Sequence, residues 1–147
     1  MEQIRKFLSL STADQSLLLK SVFLLGMIAL GLRVLPFQIM QRFLIGTRQK
    51  TAGVHHTDQS SANRIAWAVR VASRYVPAAT CLPQALAVRM LFKQQGYPAR
   101  LHIGVAKGER GQLEAHAWVE SQGRIVVGNS QDLSRYTPLP PLEGESA

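Results

Sequence analysis

The sequence predicts an α+β fold: N-terminal helices, then one helix packed on a small antiparallel sheet. Three observations carry this. Apolar residues recur at helical spacing through the front of the chain, at Leu17, Leu18, Leu24, Leu25, Ile28 and Leu32. A helix start is written at Thr80-Cys81-Leu82-Pro83. Beyond it, 99–106 and 112–120 alternate apolar and polar side chains, with turn residues between them. Helix, strand, turn, strand, turn, strand is the order of a helix laid on a meander.

Length and composition bound the rest. A chain of 147 residues suits one domain with a small appendage, and 46% hydrophobic content excludes wholesale disorder. The expected organisation is a hydrophobic, basic helical segment over 1–50, a linker or loop over 51–61, and a core over 62–147. Cys81 is the single cysteine. It excludes an intramolecular disulfide and any Cys-pair metal or redox site, and it suits a reducing, cytoplasmic setting. No metal and no cofactor is expected.

The net charge of +8 is unevenly spread. Residues 1–80 carry ten basic and three acidic side chains, and residues 81–147 carry seven and six. The basic field therefore belongs to the front half, where it can meet nucleic acid, anionic lipid or an acidic protein surface.

The first elements follow from this front half. Lys20 and Arg33 bracket an uncharged run, Ser21 to Leu32, too short to span a bilayer as a helix. No clean signal-peptide pattern precedes it. A buried or surface-docked helix is expected there, ending at or before Pro36. A tilted span with Arg33 snorkelling, or contact with a membrane surface, stays open. A second apolar piece runs from Phe37 to Ile45. The polar stretch 47–61 reads as a loop, and its His55-His56 pair lacks further ligands at useful spacing. Ser60-Ser61 offer a cap for a helix reaching about Tyr75, with Ile65, Val69, Ala72 and Val76 as its apolar stripe. No helix-turn-helix, zinc finger or stacking-aromatic motif accompanies Arg64, Arg70 and Arg74, so no nucleic-acid partner is expected.

The back half holds the chemistry. The Cys81 helix should run to about Gln95, with Gly96 closing it and Pro98 barring its continuation. Cys81 then sits in the first turn, where free N–H groups and the helix dipole stabilise a thiolate. In the second alternating run, Leu113, Ala115, Ala117 and Val119 share one face. Glu114, His116, Trp118 and Glu120 share the other. A helix-start cysteine and a strand histidine can meet when helix packs on sheet, and imidazole is the base that a thiol nucleophile needs. On the residues alone, a catalytic pair and a buried cysteine with an ordinary strand histidine both stand.

The residues also carry a resemblance. Cys81-Leu82 opening a helix, Gly96-Tyr97-Pro98-Ala99-Arg100 entering a strand, and His116-Ala117-Trp118-Val119-Glu120 look like the core of the transglutaminase-like cysteine peptidases. More narrowly they resemble the lasso peptide maturation peptidases, which remove the leader from a ribosomally made precursor. Arg135-Tyr136-Thr137-Pro138-Leu139 fits that family's ending. The resemblance covers nearly the whole chain and is most specific over 80–128.

The resemblance implies a transglutaminase-like, papain-like core with Cys81 as nucleophile and His116 as base. The family's third member is an aspartate expected near 127–129, where this chain reads Val127-Gly128-Asn129. Asn129 and Asp132 are equal candidates, and a backbone carbonyl can also serve. Trp118 is a packing residue or a wall of the substrate groove. Gln84 can donate to an oxyanion beside the Cys81 N–H. His102 joins the face of His116 if the turn between the strands closes in the matching register. The implied partners are the lasso precursor peptide, a leader-recognition protein that this short chain is expected to lack, and an asparagine-synthetase-like cyclase. A non-catalytic accessory protein and a transglutaminase-type acyl transferase are the competing readings.

Overall fold

The computed structural model describes residues 1–36, 38–39, 58–77, 79–128 and 131–140. The second apolar piece from Phe37, the His55-His56 pair and Asn129 fall wholly or mostly outside the described residues. Within them are four α-helices and a four-stranded antiparallel sheet: α1 (Glu2–Leu8), α2 (Thr12–Val34), α3 (Gln59–Ser73), α4 (Cys81–Gln94), β1 (Arg100–Lys107), β2 (Leu113–Ser121), β3 (Arg124–Val127) and β4 (Thr137–Pro138). The strand order is β3-β2-β1-β4. This is the expected α+β architecture.

The uncharged run from Ser21 is the middle of a longer helix. Ser11 caps α2 by accepting from the Asp14 N–H at 3.2 Å, which sets the start nine residues before that run. Gln15 fastens α1 to it by donating to the carbonyls of Phe7 and Leu10. The helix ends at Val34, before Pro36, as the sequence requires. One side of α2 is core: Leu25 is wholly buried, and Leu18 and Ile28 pack with Ile65, Val69, Leu86 and Phe92.

Helix α3 begins earlier than the serines suggest. Asp58 is its cap, accepting from the Ser60 N–H, while the hydroxyls of Ser60 and Ser61 donate to the same carboxylate. These bonds, the Ser60 hydroxyl foremost, hold the Asp58 carboxyl below its ordinary value. A carboxylate accepts several donors at once and so outcompetes a hydroxyl for the cap position. Arg64 of α3 reaches across to Asp14 of α2, its Nε 2.9 Å from Oδ1.

Helix α4 ends where Gly96 takes a φ of +74°. The Gly96 N–H donates to Lys93 O and the Tyr97 N–H to Phe92 O, which is a Schellman closure. The accompanying apolar contact is present: the Tyr97 and Phe92 rings meet edge to face at 5.8 Å. Ser121 at the end of β2 donates to Pro98 O at 2.6 Å, so the C-terminal end of α4 lies over that end of the sheet. Because α4 packs along β2, its N-terminus with Cys81 points to the end where β2 begins.

The β1–β2 ladder pairs Leu101 with Val119, Ile103 with Ala117, and Gly104 with His116. Leu101, Ala117, Val119 and Val127 form the inner face and join the core with Ala85, Leu86 and Val88 of α4. His102, Gly104, His116, Trp118 and Glu120 therefore lie on the outer face, because side chains alternate along a strand.

Candidate active site

Cys81 is the first residue of α4 and is half-buried against the core. Thr80 precedes it in extended conformation as the N-cap, but its side chain makes no capping bond. No hydroxyl therefore competes for the first-turn N–H groups, and these remain donors for an anion formed at this point. Gln84 Nε2 donates to Ala79 O at 2.8 Å. That bond ties the backbone entering Cys81 to the helix that follows.

His116 is built from the other side of the sheet. Its Nε2 lies 2.7 Å from the carbonyl oxygen of Gly128. A carbonyl only accepts, so Nε2 carries the hydrogen and Nδ1 is the nitrogen left to take a proton. Gly128 can sit this close because it has no side chain and a φ of +80°; a Cβ there would lie 2.5 Å from Ala117 O and 2.8 Å from Trp118 Cα.

Around His116 the outer face is an aromatic row. The His116 ring stacks on Trp118 at 6.2 Å, and Trp118 stacks on His102 at 5.4 Å. Tyr136 lies 5.3 Å from the His116 ring. Gly104, directly opposite His116 in the ladder, makes the row possible. A Cβ at Gly104 would come within 2.9 Å of both Trp118 and Tyr136. The register pairs His102 with Trp118, so the condition that puts His102 on the face of His116 is met. The buried His102 Nε2 is 3.3 Å from Glu120 Oε2 without the alignment of a hydrogen bond. Arg135 clamps the C-terminal segment over this face by an ion pair to Glu114 at 2.9 Å.

The structure thus brings together His116, Trp118 and His102, and adds Tyr136 and Gly128. It does not bring Cys81 and His116 into hydrogen-bond contact. Cys81 heads the helix on the inner face, and His116 projects from the outer one. Asp132 is exposed before the 3₁₀ turn Leu133–Arg135. Two clefts lie elsewhere, one between 98–100 and 120–123, the other beside Leu10, Asp14, Arg64 and Trp67.

Tyr136 and Gly128 had no assigned role in the sequence reading. The signal for Gly128 was its distance from His116, since the family pattern looks for an orienting group there. Tyr136 had only its motif context, because it precedes a strand, Thr137–Pro138 paired to Gly104 and Val105, that is too short to alternate.

The model of the family described as the transglutaminase-like superfamily matches residues 25–140. The match takes in Cys81, His116, Gly128 and Tyr136, and it begins within α2. No curated protein and no solved structure matches the chain.

Proposed function

The chain belongs to the transglutaminase-like superfamily, in which cysteine peptidases and acyl transferases are common, and on that premise we propose that it is a cysteine peptidase removing the leader from a lasso-type precursor peptide. The supporting observation is Cys81 as the first residue of α4, with its first-turn N–H groups uncapped by Thr80, inside the family match. In the proposed reaction His116 Nδ1 accepts the Cys81 proton. The thiolate attacks the carbonyl at the leader–core junction. The core peptide leaves with the proton on its new amine, the leader stays as a thioester on Sγ, and water hydrolyses it to a free carboxylate. The proposed partners are the precursor, a leader-recognition protein and an asparagine-synthetase-like cyclase.

A second reading has a specific observation behind it. His116 is held on the outer face by Gly128 O and stacked rings, away from the α4 face. A non-catalytic accessory domain accommodates that arrangement without movement. The peptidase requires the pair to close when substrate and partner bind, as catalytic contacts often do.

The test is a reconstituted reaction of precursor, recognition protein and this chain, read by product mass. Free leader carboxylate and free core are expected, both abolished by Cys81→Ala and by His116→Ala. Leader release that survives both substitutions favours the accessory reading. Leader recovered as an amide of an added amine indicates acyl transfer instead.

A further inference from the structure

The outward side of α2 is apolar, continuous and uncovered by the described residues. Leu19, Phe23, Met27, Leu30 and Val34 are exposed by 60%, 71%, 55%, 60% and 71%. At 3.6 residues per turn these positions fall in a stripe about 80° wide and about 22 Å long. Lys20 and Arg33, both exposed, flank it on opposite sides. Asp14, the acidic residue of this helix, lies on the other side and is bound to Arg64.

A face of this kind has an apolar floor and cationic borders. Lysine and arginine can lay their methylene stems along such a floor and lift their charges to a phosphate layer. The front half of the sequence has the same sign, with ten basic against three acidic residues over 1–80. Helix α1, fastened to the start of α2, adds exposed Ile4 and Leu8 beside exposed Arg5 and Lys6. At 23 residues α2 is long and apolar enough to cross a membrane, unlike the uncharged run from Ser21 alone, but crossing in this fold would strip Leu25 and Ile28 from the core they share with α3 and α4.

We infer that α2 lies flat on an anionic lipid surface and docks the domain there through Leu19, Phe23, Met27, Leu30 and Val34, with Lys20 and Arg33 reading the headgroup charge. The inference is independent of the chemistry at Cys81.

The test is co-sedimentation of the full chain with phosphatidylcholine vesicles, with and without equimolar phosphatidylglycerol. Binding is expected only with the anionic lipid, and raised salt should weaken it. Phe23→Ser with Leu30→Ser, and separately Lys20→Gln with Arg33→Gln, should each weaken it by roughly tenfold or more, with far-UV circular dichroism unchanged. The salt dependence of the unaltered chain keeps the test decisive if a variant misfolds. Four results would overturn the inference: no binding to anionic vesicles, binding indifferent to lipid charge and salt, resistance to alkaline carbonate extraction, or a stable dimer that Phe23→Ser dissociates without any vesicle binding.

Discussion

The His116 ring is held by a backbone carbonyl, its Nε2 2.7 Å from Gly128 O, twelve residues further along the chain. Residue identity matters at the accepting end even though the acceptor is main chain. Gly128 combines a left-handed φ with a backbone pressed onto Ala117 and Trp118. Gly128→Ala should destabilise the fold by at least ~1–2 kcal/mol, from the conformational penalty alone. Urea unfolding checks this. The His116 imidazole resonances should shift in the variant as the Nε2 contact is lost.

Gly104 is the second point of close approach, under both Trp118 and Tyr136. Gly104→Val should cost about 1–3 kcal/mol through overpacking. It should also change the near-UV circular dichroism of the aromatic row. An unchanged spectrum would mean that Trp118 does not stack between His102 and His116.

Helix α2 is both a core element and an exposed one, and paired substitutions separate its two sides. Leu25→Ala removes a wholly buried side chain and should cost about 2–5 kcal/mol. Leu19→Ala, on the exposed stripe, should stay within ~0.5 kcal/mol. Equal effects would show that α2 does not pack as described.

The pH dependence near the helix junction has a definite sign. The hydrogen bond from Arg64, then that from Ser11, holds the Asp14 carboxyl below its ordinary value of 3.8. A carboxyl depressed in the folded state contributes stability that is full above that ordinary value. The contribution is lost as pH falls through the lower folded value. Arg64→Gln should raise the Asp14 midpoint toward 3.8, read by carboxyl NMR titration. Both groups reach solvent, so the effect on overall stability should be small.

Much of the fold was legible because its signals are local. Gly96 and Pro98 marked the end of α4, and strict alternation marked β1 and β2 to within a residue of their observed ends. The cap of α3 was misplaced because Ser60 and Ser61 look like caps while Asp58 binds both of them. The start of α2 was not marked because the uncharged run begins nine residues inside the helix, and its first turn is polar. The strand Thr137–Pro138 carries too few residues for any period to show.

The candidate site was legible in its members but not in its joining. The motif singles out Cys81 and His116. The same alternation that found β2 also put His116 on the face opposite Ala117 and Val119, which is the face a packing helix takes. The orienting group could not be read from side-chain types, because the group at His116 is a carbonyl that every residue possesses.

The most direct measurement is the rate of leader release from the precursor by Cys81→Ala, against the unaltered chain with the same partner proteins. A nucleophilic Cys81 requires a loss of more than ~10³-fold, with the unfolding midpoint little changed. Release at the unaltered rate would contradict it and leave the chain as a non-catalytic member of its superfamily.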